Sequence, residues 1–133
     1  MAQIVPFRGT NIVGGTKIAF SFVSNGSNAI DQTTIRGTGV TSVTKNATTG
    51  RIDVVLDNAF YRIVSARGGV FATSATTGPA TTDVTHVVLG FADETSSPLS
   101  FTVWTIKGDG TAVNTTAAQR IWVELTIQAS AGA

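Results

Sequence analysis

The chain has 133 residues, nine basic and eight acidic side chains, and no cysteine. One domain with a substantial core is the natural reading, because a chain of this size buries roughly two-thirds of its unfolded surface. A net charge of +1 gives a nucleic-acid-binding patch no electrostatic support, and the missing thiols exclude a disulfide framework, a thiolate nucleophile and cysteine metal sites.

In chain order, Gln3 to Phe7 is a first extended piece, and Pro6 restricts it to an arm or an edge strand. Residues 1–10 are therefore read as an N-terminal arm or edge strand and 11–133 as a β-sandwich domain. Asn11 to Gly15 is a loop. Lys17 to Ser24 follows as a strand with Ile18, Phe20 and Phe22 inward and Ala19 and Ser21 outward. Asn25-Gly26-Ser27-Asn28 is a turn. Thr33 to Lys45 reads as one strand, with Gly37 and Gly39 marking a bulge or a close backbone approach. Asn46 to Gly50 closes a hairpin onto Arg51 to Leu56, where Ile52, Val54 and Leu56 alternate with Arg51, Asp53 and Val55. Asp57-Asn58 ends that strand.

Phe60 to Ala66 is the next strand, which Gly68-Gly69 is expected to interrupt before Val70 to Thr73. Ala72 to Asp83 is a Thr/Ala/Gly/Pro loop. Val84 to Ala92 is almost continuously apolar, which predicts a strand covered on both faces. Asp93 to Pro98 is a loop, Leu99 to Lys107 a strand and Gly108-Asp109-Gly110 a turn. Thr111 to Gln119 is an irregular connection or one helical turn. Ile121 to Ser130 ends the chain with clean alternation. Roughly eight strands at this spacing predict an all-β, single-domain antiparallel sandwich or jelly-roll-like fold.

Only 13% of the residues are charged, against about 25% in a typical soluble domain. Apolar residues make up 42% and Thr is the commonest residue. A neutral exterior rich in Thr and Ala suits a protein whose surface mostly touches other proteins. No segment has the apolar length of a membrane span. The stretch from Met1 to Phe7 lacks the basic start and continuous apolar core of a signal peptide, so synthesis in the cytoplasm is expected.

Residues able to carry chemistry are few and scattered. His86 is the sole histidine, which excludes multi-histidine metal sites, and it reads as structural or interfacial rather than catalytic. Asp53 with Asp57, and Asp93 with Glu94, have no groove signature of a glycosidic carboxylate pair. Asp93-Glu94 with Asp31 or Asp83 lacks the regular oxygen-ligand spacing of a calcium loop. Gly108-Asp109-Gly110 lacks the glycine-lysine order of a phosphate loop, and Asn25, Asn46 and Asn114 begin Asn-x-Ser/Thr triplets that read as accidental in a Thr-rich chain. Catalytic, cofactor and metal residues are therefore expected to be absent.

The aromatic residues are more informative. Trp122 falls on the side of Glu124 and Thr126, opposite Ile121, Val123, Leu125 and Ile127. Trp104 and Ile106 fall opposite Phe101 and Val103. Tryptophan is enriched at interface hot spots, so Trp104 and Trp122, with Ile4 and Phe7 of the arm, are the candidate interface residues. The alternative for Trp122 is cover by the Ala72 to Asp83 loop of its own chain.

The order GTG-VTSVTKNATTG-RIDVVLDNAFYRIVSA, then SFTVWTIKGDGTAV, then RIWVELTIQAS resembles a group of small tailed-bacteriophage virion proteins. These tend to show a glycine-led strand, a Thr-Gly turn, a Val-x-Leu-Asp strand, an aromatic strand ending near Ser-Ala and a terminal strand. The likeness spans about Gly37 to Ala129. It implies a capsid decoration (cement) protein or the capsid-proximal base of a head fibre, with β-sandwich architecture, homotrimers and the major capsid protein as partner. The expectation is thus a non-enzymatic protein of the phage head. Its runner-up is a receptor- or carbohydrate-binding module of a tail or head fibre, which would need exposed aromatics beside polar groups at loop tips.

Overall fold

The computed structural model describes residues 15–25, 29–57, 61–80, 83–90, 100–115 and 118–129. The expected arm, with Ile4 and Phe7, lies outside the described residues. Eight strands follow one another: β1 (Gly15–Ser24), β2 (Ile30–Gly37), β3 (Val40–Lys45), β4 (Arg51–Leu56), β5 (Tyr61–Val70), β6 (Val84–Leu89), β7 (Ser100–Lys107) and β8 (Gln119–Ala129). They form two four-stranded antiparallel sheets, ordered β2-β1-β8-β5 and β3-β4-β7-β6, and the described residues contain no helix. The fold is an all-β sandwich.

Period-two alternation builds its core. Ile18, Phe20 and Phe22 of β1 and Ile121, Val123, Leu125 and Ile127 of β8 are buried from one sheet. Val43, Ile52, Val54, Leu56, Phe101 and Val103 are buried from the other. Each such side chain contributes about 1.5–3 kcal/mol by leaving water. Phe20 bridges the layers: its ring centroid lies 6.4 Å from that of Phe22 on its own strand and 6.4 Å from that of Phe101 in the facing sheet.

Polar side chains tie the sheets where the apolar layer ends. Buried Gln119 donates from Nε2 to the carbonyls of Phe71 and Val84, 3.2 Å each, and accepts from the Val84 amide at 3.3 Å. One amide side chain thus satisfies backbone groups of both sheets, which would otherwise be buried unpaired. Thr105, also buried, donates to the carbonyls of Gly50 and Val113, so residues 111–115 close one end of the sandwich irregularly. The Ile106–Ala112 bridge belongs to this closure. It explains why Ile106, expected outward, is buried.

Three expectations change. The strand read as continuous from Thr33 to Lys45 is two strands in different sheets, because Gly37 and Gly39 have φ of 102° and 89° and turn the chain across the sandwich. A Cβ at Gly37 would stand 2.1 Å from the Ala19 carbonyl oxygen, so the corner needs glycine for space as well as for conformation. The Gly68-Gly69 pair, expected to break a strand, instead lies inside β5 and pairs with Val123 and Trp122. Finally, β6 is an edge strand with one open face: His86 is exposed and Val88 is 50% exposed. An apolar run predicts burial on both faces only when another layer covers the second one.

Regular and irregular pairing divide by position. The central pairs β1·β8 and β4·β7 run in unbroken register. The pairs that attach the four edge strands, β1·β2, β3·β4, β5·β8 and β6·β7, each carry a register shift. Bulges twist an edge and interrupt its row of free amides, which blunts edge-to-edge addition of another strand.

Candidate functional surfaces

The two tryptophans lie on opposite outer faces. On the β3-β4-β7-β6 sheet, Trp104 sits between Arg51 of β4 and Val88 of β6 in the strand register. Its Nε1–H donates to Thr102 Oγ1 at 3.1 Å. Beside it, Arg51 Nε donates to Asp53 Oδ1 at 2.8 Å, and Asp53 Oδ2 accepts from Asn46 Nδ2 at 2.9 Å. Polar groups here are paired with one another, and the unsatisfied part of the face is apolar: Trp104 and Val88.

On the β2-β1-β8-β5 sheet, Trp122 lies across Gly69 of β5, where a Cβ would come within 2.6–2.8 Å of three indole atoms. An aromatic ring leaning over a neighbouring strand glycine covers backbone that the glycine leaves bare. Arg67, two residues before Gly69, has its guanidinium carbon 6.0 Å from the indole centroid, a cation–π distance. The Trp122 Nε1–H makes no hydrogen bond with the described residues. Phe71 continues the β5 ladder by donating its amide to the Arg120 carbonyl at 3.0 Å, and the residue is 58% exposed.

Register sets these groups in two rows across the outer face. Arg36, Ser21, Trp122 and Gly69 form one row, and Val23, Arg120 and Phe71 the next. Between them is an open depression of about 500 Å³ lined by Trp122, Phe71, Arg36, Arg120, Ser21 and Glu124, among others. Arg120 Nη1 is anchored on Ser21 Oγ at 2.8 Å and the Thr34 carbonyl at 3.2 Å. Glu124 is engaged by Arg67 at 2.8 Å and Lys17 at 3.6 Å. Arg36 makes no hydrogen bond or ion pair with the described residues.

Of the Ala72 to Asp83 loop, no described residue lines the depression beside Trp122. Pro79 and Ala80 instead share a hollow with Thr85, Lys107 and Asp109 at the far end of β6 and β7. The loop is fastened by buried Asp83, whose Oδ2 accepts from Thr73 Oγ1 and the Ala80 amide.

The other singled-out residues are brought into no common site. His86 is exposed on β6, with Nδ1 3.1 Å from Thr85 Oγ1. Asn46, Asn25 and Asn114 each accept a backbone amide at a turn or loop, from Thr48, Ala29 and Gly50. Asp31 and Asp109 do likewise: each accepts the amide of the residue two ahead, and the Asp31 carboxylate also takes the Thr33 hydroxyl. Hydrogen bonds from Thr33 and Thr111 hold the two carboxyls below their ordinary range. Among the described residues no three His, Cys, Asp or Glu side chains converge in a way that could hold a metal ion. Asp93, Glu94 and Phe91 lie outside the described residues.

Sequence reasoning missed Phe71, Arg36 and Arg120 as neighbours of Trp122. They come from β2, β8 and the residue just after β5, and only the β2-β1-β8-β5 order aligns them. Comparison with known proteins adds no relative: no family model, no curated protein and no solved structure matches the chain.

Proposed function

We propose that this chain is a non-enzymatic structural protein of a tailed-phage particle, a decoration or cement protein that binds and stabilises the assembled head. One observation carries the reading. A sandwich with a closed core and bulged edges still exposes large apolar side chains, with Val64, Phe71 and Val88 at 62%, 58% and 50%. Such groups on a surface this poor in charge suit faces that become covered on assembly. The resemblance of Gly37 to Ala129 to phage virion proteins supplies the identity of the assembly.

In this reading the chain works as a homotrimer seated on the major capsid protein. Trp104 with Val88 is the subunit contact, because that face has its polar groups internally paired and offers apolar area without an unpaired donor. Binding to the closed shell and not to its dispersed subunits stabilises the shell by mass action, about 2.7 kcal/mol per site at a hundredfold excess over Kd.

The test is the protein's copy number in purified particles relative to the major capsid protein. A fixed stoichiometric ratio, with particles that melt at lower temperature when the protein is deleted, is the expected result. Absence from the particle refutes the proposal. Light scattering of the isolated chain tests the trimer, and Trp104→Ala is expected to shift it toward monomer.

A further inference from the structure

We infer that the depression around Trp122 is a binding site for an acidic sugar, a pyranose ring bearing a carboxylate. The inference does not rest on the particle reading.

Its first support is a surplus of hydrogen-bond donors. Among the described residues Arg36 is unpaired, Arg120 uses only Nη1, and the Trp122 indole N–H is unengaged. The one carboxylate at the rim, Glu124, is already shared by Arg67 and Lys17. A ligand that satisfies this set must be rich in acceptors and negatively charged, and a planar carboxylate matches the guanidinium fork.

The second support is shape. Trp122 lies across Gly69 rather than standing in the sheet, and exposed Phe71 is close by, so the depression has an aromatic floor with polar groups around it. One face of a pyranose ring is made of C–H groups that pack on an aromatic ring, while its hydroxyls point sideways to rim groups such as Ser21 and the indole N–H. A volume of about 500 Å³ is within the usual size of small-ligand sites.

The third is the charge of the lining. Arg36 and Arg120 line the depression with Glu124, and Glu124 is already held by Arg67 and Lys17. The depression therefore carries an excess of positive charge. The runner-up carbohydrate reading looked for aromatics at loop tips; the fold places them on a sheet face instead.

The test uses the full chain with Trp104→Phe, so that tryptophan emission reports Trp122 alone, and with calorimetry on the unsubstituted protein. The probes are a hexuronic-acid oligosaccharide, a neutral hexose oligosaccharide of the same linkage, a glutamate-rich peptide and a single-stranded oligothymidylate. The expected result is saturable binding of the uronic-acid oligomer with a change in Trp122 emission. Affinity should fall about tenfold in Arg36→Gln, the loss of one charged hydrogen-bond pair. Arg36 is exposed, so this variant keeps the fold, which circular dichroism verifies. The inference is overturned by no saturable binding of the uronic-acid oligomer, by equal affinity for the neutral sugar, or by an unchanged affinity in Arg36→Gln. Tighter binding of the peptide or the oligothymidylate also overturns it, assigning the face to a protein or nucleic-acid partner.

Discussion

Trp104 and Trp122 have similar sequence settings, each outward-facing on a central strand, yet the structure gives them opposite chemical situations. The Trp104 indole N–H is spent on Thr102, and the neighbouring charges Arg51 and Asp53 neutralise each other. Among the described residues the Trp122 indole N–H is unspent, and Arg36 and Arg120 line the same depression. What differs is what lies under each ring: Trp104 finds the Thr102 hydroxyl two residues back on its own strand β7, whereas Trp122 lies over the bare backbone of Gly69 on neighbouring β5. A face with satisfied polar groups is suited to apolar association, and a face with free donors to an acceptor-rich ligand.

The largest expected effect comes from the corner that separates the two faces. Gly37→Ala should destabilise the domain by about 3 kcal/mol or more, through a positive φ and a backbone clash with Ala19. A urea melt checks it, and a midpoint unchanged from the parent would mean that the chain does not need this crossing.

Next come the tryptophans themselves. Each is half-buried, so Trp→Ala at either site should cost about 2 kcal/mol in the monomer, below the range for a fully buried ring. The two variants should part in what else they lose: Trp104→Ala self-association, Trp122→Ala ligand response. If both lose the same property, the two faces are not functionally distinct.

A smaller change sharpens the polar half of the comparison. Thr102→Val removes the acceptor from Trp104 and should cost about 1 kcal/mol, with an altered Trp104 emission. Ser21→Ala on the other face removes one of two anchors of Arg120, and should leave the fold's stability within about 1 kcal/mol.

The smallest effect concerns acid. Asp31 and Asp109 have carboxyl groups held below the usual 3.8 by their bonds to Thr33 and Thr111. A lowered folded-state value means that their stabilisation is fully present above 3.8 and fades as the pH falls through the lower folded value. Both residues are exposed, so the melting temperature should decline only gently there. Nuclear magnetic resonance titration should put the Asp31 midpoint under 3.8, and Thr33→Val should raise it.

How much was legible follows the range of each signal. Ile52, Val54 and Leu56, or Ile121 through Ile127, announce their inward faces by local alternation, and the structure buries those residues. Gly37 and Gly39 were visible as irregular positions, but a positive φ that changes sheet and a bulge that stays in one look alike as letters. Gly68-Gly69 misled for a related reason. Glycine weakens a strand on its own, yet here Trp122 from the neighbouring strand covers the gap.

By itself the sequence determined the all-β class, the phase of the regularly alternating strands and most of the core, because alternation and turn residues act over a few positions. Only the tertiary structure decided which strands are edges, that Val88 keeps an open side, and that Arg36, Arg120, Phe71 and Trp122 share one depression. Those facts depend on strand order, and strand order arises from contacts between residues up to a hundred positions apart, such as Arg120 with Ser21. The near-zero net charge hid the two arginines of that depression for the same reason: summing charges along a chain discards the direction in which each one points.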